Sequence, residues 1–167
     1  RIAKADKVIL PGVGAFGDCM LNLEKYGLVP VIKETLASEK PFLGICLGLQ
    51  LLFEGSEEAP GIQGLGFFKG QVEKIKTDLK VPHMGWNSLI LKTPSPLLAK
   101  AAEGYVYFVH SFHAVPEDKS IITAVCNYGT EVTAAVGRAN VQAVQFHPEK
   151  SSKVGLGILQ AFKEWQL

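Results

Sequence analysis

Pro41-Phe-Leu-Gly-Ile-Cys-Leu-Gly-Leu-Gln50 is the stretch that decides the fold. Phe42, Leu43 and Ile45 form a short apolar run behind Pro41, the pattern of a strand buried on both faces. Leu47 to Phe53 then carries leucines and a phenylalanine at helical spacing, which predicts a helix packed back on that strand. Cys46 stands at the join, with Gly44 and Gly48 two residues to either side. A sharp strand-to-helix turn needs small neighbours, because larger side chains there collide with the turning backbone. This is the spacing of the nucleophile elbow, G-x-S-x-G, with sulfur in place of oxygen. Such a turn sets the thiol at a helix N-terminus, where free N–H groups and the helix dipole favour thiolate; thiols there ionise at roughly 3.5–7.5 instead of about 8.5. The ordinary alternative is an inert core cysteine. The paired glycines favour the nucleophile.

Working outward, Lys7-Val8-Ile9-Leu10 predicts a strand running into Pro11-Gly12-Val13-Gly14. Glycines beyond a strand's C-terminal end let backbone approach a ligand closely, and in an open α/β sheet that edge is where ligands bind. A phosphate loop is disfavoured, since no Gly-Lys-Ser/Thr follows; a structural turn and a backbone oxyanion donor remain. Asp18 to Tyr26 and Val29 to Ser38 read as helices. Beyond the polar loop after Glu54, β-like runs follow at close spacing: Gly66 to Ile75, Trp86 to Leu91, Tyr105 to Val109, Ile121 to Cys126, Val132 to Gly137 and Val141 to Phe146. Ser152 to Trp165 closes the chain with a helical pattern. Alternating strand–helix units followed by consecutive strands predict an α/β fold, a mostly parallel sheet flanked by helices with an antiparallel annex. Without repeat, low-complexity tract or linker, residues 1–167 read as a single domain.

Composition narrows the function classes. A net charge of +1 over 167 residues gives no reason to expect nucleic acid or an anionic membrane as partner. No apolar run reaches the roughly 18 residues of a transmembrane helix. Three cysteines, Cys19, Cys46 and Cys126, are widely spaced and odd in number, suggesting neither a disulfide framework nor a zinc site, and a reducing, cytoplasmic setting. No metal or cofactor is expected.

A thiolate attacking an acyl carbon needs a base, a group to orient that base, and an oxyanion hole. Of His83, His110, His113 and His147, the last has the best context, ending the apolar strand in Gln145-Phe-His-Pro-Glu-Lys150. In an extended span His147 and Glu149 point to one side, and Pro148 discourages helix at the residue before it. A Cys46–His147–Glu149 triad is the resulting expectation. Ser111, at the end of an aromatic-rich strand, and Gln50, one turn into the elbow helix, are candidates for polar substrate contact. His110 and His113 with Cys46 match no standard metal-ligand spacing.

Together, Pro11-Gly-Val-Gly14, Gly44-Ile-Cys-Leu-Gly-Leu-Gln50 and Phe146-His-Pro-Glu-Lys-Ser151 resemble the class I (triad) glutamine amidotransferases, whose sheet is flavodoxin-like. Within that family, Pro82-His-Met-Gly-Trp-Asn87, Tyr107-Phe-Val-His-Ser111 and Lys150 look like the glutaminase subunits of imidazole glycerol phosphate synthase. The resemblance implies that glutamine is hydrolysed through a Cys46 thioester, with His147 as base and acid and Glu149 orienting it. It implies backbone N–H groups of Val13 and Leu47 as the oxyanion hole, and Gly14, Gln50 and Ser111 as contacts to glutamine. It also implies a heterodimer with a (βα)₈ barrel cyclase that consumes the ammonia in histidine biosynthesis, with Trp86, Asn87 and Lys150 at the interface. Two departures stand out. The strand, helix and strand that open family members are expected before Arg1, and Phe112 follows Ser111 where the family usually has tyrosine. Rival readings are the glutaminase component of anthranilate, aminodeoxychorismate or GMP synthesis, a free-standing γ-glutamyl thiol hydrolase, and a non-catalytic scaffold. Fold alone separates none of them.

Overall fold

The computed structural model describes residues 1–101 and 103–167. The chain opens with strand β1 (Val8–Leu10), helices α1 (Phe16–Lys25) and α2 (Val29–Ala37), strand β2 (Phe42–Ile45) and the short helix α3 (Leu47–Gln50). Nine strands come next among the described residues: β3 (Gly55–Ser56), β4 (Gly70–Lys74), β5 (His83–Ser88), β6 (Ile90–Leu91), β7 (Tyr105–His110), β8 (Phe112–Pro116), β9 (Ile122–Asn127), β10 (Glu131–Arg138) and β11 (Val141–Val144). Helix α4 (Ser152–Glu164) ends the described elements.

The main sheet runs β1-β2-β11-β10-β9-β6. β2 lies between β1 and β11 and is parallel to both, whereas β10, β9 and β6 are added antiparallel. The α/β class is as the sequence indicates, but the parallel share is smaller than expected, and antiparallel strands continue the main sheet. The cause is the tight connection from Arg138 to Val141, with Ala139 at φ 54°, which is too short for a crossover and makes β10–β11 a hairpin. Asn140 locks that turn to the start of β2: its side chain donates to the Lys40 carbonyl, and its carbonyl accepts from Phe42 N–H. Two small sheets, β3-β4-β8 and β5-β7, stand apart from the main one.

Both faces of β2 are buried, as its unbroken apolar run requires. Phe42 faces a core with Phe16, Met20, Leu23, Ile32 and Leu36 from α1 and α2. Leu43 and Ile45 face a second core with Val106, Phe108, Ile158 and Phe162, from β7 and α4. No described helix is long and apolar enough to cross a membrane.

Candidate active site

Three neighbouring parallel strands end at one level, since Leu10 pairs with Gly44 and Ile45 with Val144. The segments leaving these strands therefore converge: Pro11–Gly14 after β1, Cys46 after β2, and Gln145–His147 after β11. This is the carboxyl edge, where open α/β sheets bind ligands. A cavity of about 380 Å³ lies there, and Val13, Gly14, Cys46, Leu47, Gln50, Ser111 and His147 all line it, as do Pro82, His110 and Phe112.

The elbow is built as the glycine spacing predicts. Cys46 sits at φ 55°, ψ −112°, a strained conformation for a side-chain-bearing residue. A Cβ on Gly44 would lie 2.9 Å from the Gly48 carbonyl oxygen, and one on Gly48 would fall on the Leu10 carbonyl oxygen. The elbow helix is shorter than predicted. Leu52 and Phe53 donate to Leu49 and Gln50 in a tightened last turn, and β3 begins two residues later.

The electrostatics of Cys46 differ from the sequence reading. Burial pushes its thiol above the ordinary range, and the Glu149 carboxylate adds to this. The Leu47 N–H, the Gln145 amide and the Lys150 ammonium pull the other way without cancelling it. A four-residue helix does not overcome the desolvation of the buried thiol.

His147 and Glu149 meet, though by a different route from the expected one. Pro148–Lys150 is a 3₁₀ turn with Pro148 in its first position, not an extended span, because the fixed φ of proline suits a helical start. In this turn Glu149 Oε1 accepts from His147 Nδ1 at 2.6 Å. The histidine is buried and the Glu149 side chain is 48% exposed. His147 Nε2 is buried with no hydrogen-bond partner among the described residues.

The two expected oxyanion donors stand differently. Leu47 N–H donates to the Gly12 carbonyl at 3.2 Å, so it is occupied. The contact is close because Gly12 has no side chain: a Cβ there would lie 3.0 Å from Leu47 Cβ. Val13 is 79% exposed at the mouth, and Gly14 takes φ 95°. Gln50 is also committed, since its Nε2 donates to the Phe112 carbonyl (3.2 Å) and to Gln145 Oε1 (3.0 Å). Contact with a ligand thus falls to its oxygen.

Of the expected interface residues, Trp86 is 53% exposed and Lys150 is exposed. Asn87 turns inward instead, because its amide donates to Asn127 O (2.8 Å) and meets His83 Nε2 (3.3 Å). His113 lies away from the cavity and accepts from Thr133 N–H. The sequence reading missed Gln145, which is fully buried and donates to Cys46 Sγ at 3.7 Å. A polar residue closing an otherwise apolar strand was the available signal. It also missed the buried His83–His110 pair, 3.0 Å apart, whose members sit opposite each other in the β5–β7 ladder.

Comparison with known proteins agrees with this geometry. Residues 2–163 match the family model described as glutamine amidotransferase class-I. The chain is 52% identical over 165 residues to the imidazole glycerol phosphate synthase subunit HisH of Aquifex aeolicus, covering 98% of this chain and 80% of that protein. It is 48% identical over 168 residues to the protein of the same name from Bacillus subtilis, covering 97% and 79%. Two solved structures share the fold at 18% identity. A glutamine amidotransferase crystal structure gives a TM-score of 0.71 over 95% of this chain and 79% of its own. The glutaminase domain of Trypanosoma brucei CTPS with bound acivicin gives 0.66 over 99% and 74%. An elbow cysteine at the carboxyl edge, a family model spanning nearly every residue and relatives identical at about half of their positions lead to one conclusion: the chain belongs to the class I glutamine amidotransferases.

Proposed function

We propose that this chain is the glutaminase subunit of imidazole glycerol phosphate synthase, hydrolysing glutamine at Cys46 and passing ammonia to a (βα)₈ barrel cyclase in histidine biosynthesis. The observation that carries the chemistry is the bare, buried Nε2 of His147 on the cavity that Cys46 lines, with Glu149 behind its other nitrogen. The subunit assignment rests on relatives identical at about half of their positions over nearly the whole chain.

Cys46 Sγ attacks the side-chain amide carbon of glutamine as its proton passes to His147 Nε2. The same proton then goes to the departing nitrogen, the C–N bond breaks and ammonia leaves, with the γ-glutamyl group held as a thioester on Cys46. His147 takes a proton from water, hydroxide adds to the thioester carbon, and the C–S bond breaks to give glutamate and the thiol. Glu149 holds the imidazole in the tautomer whose Nε2 is free, and stabilises the imidazolium. Leu47 N–H and Val13 N–H are the oxyanion donors once the Pro11–Gly14 segment turns its Gly12 carbonyl away. That engaged carbonyl favours a gated subunit over a free-standing hydrolase, because it occupies a donor the reaction needs.

Labelling with a glutamine-mimicking diazo ketone tests the assignment. Peptide mapping is expected to place the adduct on Cys46 and to leave Cys19 and Cys126 unmodified. An adduct on either of those two would refute it.

A further inference from the structure

We propose that Gln145, oriented by Gln50, is a positioning residue for the nucleophile: its side-chain N–H donates to Cys46 Sγ, and hydrogen bonds running back through Gln50 to the Phe112 carbonyl keep the amide from turning over. The inference rests on Cys46 being the nucleophile and adds a residue that the triad does not include.

The direction of the chain follows from its fixed ends. The Phe112 carbonyl can only accept, so the Gln50 atom 3.2 Å from it is Nε2. The second hydrogen on that nitrogen points to Gln145 at 3.0 Å, so the facing atom is Oε1. Gln145 therefore presents Nε2 to sulfur, at 3.7 Å. Phe112 O is itself anchored, since His110 Nδ1–H donates to it at 2.8 Å. That donation makes His110 Nε2 an acceptor for His83 Nδ1–H at 3.0 Å, and His83 Nε2 in turn accepts from Asn87 at 3.3 Å. Asn87 Nδ2 also donates to Asn127 O, which closes the far end on a second backbone carbonyl. Reversing Gln50 would set its oxygen against the Phe112 carbonyl, and reversing Gln145 alone would set its NH₂ against that of Gln50.

The chemistry suits a thiolate that must form in a buried pocket. When the thiol proton moves to His147 Nε2, sulfur gains charge where burial and Glu149 oppose it. A neutral amide N–H stabilises that charge without competing for the proton, and hydrogen bonds to ionised acceptors are the strong ones. Gln145 precedes Phe146-His147 at the end of β11, so one strand end delivers both the base and the donor.

The test is the pH dependence of iodoacetamide alkylation at Cys46, read by peptide mass spectrometry so that Cys19 and Cys126 do not contribute. Gln145→Met keeps the length of the side chain and removes the donor. It is expected to move the midpoint up by about one pH unit, a ten-fold change in thiolate population at a given pH. It should lower kcat for glutamine about as much in the assembled enzyme, with KM unchanged. Gln50→Met, one bond further back, should move the midpoint in the same direction by less. A folded Gln145→Met protein with the unmodified chain's midpoint would overturn the proposal. Should that variant not fold, the unsubstituted chain decides: the side-chain NH₂ resonances of Gln145 are expected to titrate with the Cys46 midpoint, and resonances that stay fixed would overturn it. Full turnover in Cys46→Ser would instead refute the nucleophile assignment, so the two failures are read separately.

Discussion

At Cys46, two demands conflict. Burial that shelters the thiol also pushes it above its ordinary range, so forming the thiolate calls for a base. His147 has its free nitrogen buried and unpartnered, a cost that a purely structural histidine has no reason to carry. Replacing His147 with alanine is expected to lower glutamine turnover about 10²–10⁴-fold. Glu149→Gln should cost less, because Glu149 orients the ring without taking the proton. His113→Ala, outside the cavity, should leave kcat unchanged, and equal damage from His113→Ala and His147→Ala would overturn the triad. The three residues of the proposed triad could be picked from spacing alone: glycines around Cys46, and a His-Pro-Glu run after an apolar strand. Gln145 was less legible, since an amide in a strand announces no partner. The inward turn of Asn87 was not legible at all, because a side chain's direction depends on what packs against β5, and that is a tertiary fact.

At the level of elements, the site is a product of close backbone approach. Gly48 brings the first turn of α3 against the end of β1, with no room for a methyl group. Gly48→Ala is expected to destabilise the chain by about 1–3 kcal/mol, the usual cost of overpacking, and to displace Cys46. The measurement is the urea midpoint together with Cys46 alkylation rate; unchanged values for both would contradict the packing argument. The β5–β7 ladder carries a second expectation. Burial lowers His110 to about 3, and also lowers His83 and His113. Unfolded histidines take up protons near pH 6.5, which the folded chain refuses. Their contribution to stability is therefore complete above about pH 6.5 and is lost as pH falls toward 3. Thermal midpoints should drop across that window, and His110→Gln should flatten the drop; a midpoint independent of pH between about 7 and 4.5 would show that these groups are not buried as described. Most elements were readable from periodicity, yet β8 was not. Its Phe112-His-Ala-Val-Pro116 stretch lacks clean alternation and is made a strand by pairing with β4. Likewise, Trp86 to Leu91 reads as one run but divides at Leu89, whose buried side chain lets β5 join β7 while β6 joins β9.

Across the whole molecule, a group of exposed apolar side chains calls for a partner. Met84 and Trp86 on β5 and Tyr105 on β7 are all more than half exposed, and Val13 is more exposed still at the cavity mouth. A monomer rarely leaves such a group of large side chains to water without an interaction to serve. We assign this face to the cyclase partner, whose contact should exceed about 1,000 Å² in total if the pair is stable. Pro82, just before β5, lines the same cavity as Val13 and Gly14 of the Pro11–Gly14 segment, whose Gly12 carbonyl holds the Leu47 N–H. In the proposed mechanism, rotating that segment would free one oxyanion donor and aim another, and a missing donor typically costs about 10²–10³ in turnover. Coupling of binding is reciprocal, so a glutamine analogue in the cavity should tighten the cyclase's grip on its own ligand. The decisive measurement is ammonia release by this chain alone, with the cyclase, and with the cyclase plus its nucleotide substrate. The expected order is negligible, low and high, with the last step worth about two orders of magnitude or more. Trp86→Ala should weaken the complex while leaving the isolated chain's Cys46 alkylation unchanged. Equal ammonia release under all three conditions would refute the gate and favour a hydrolase that works without a partner.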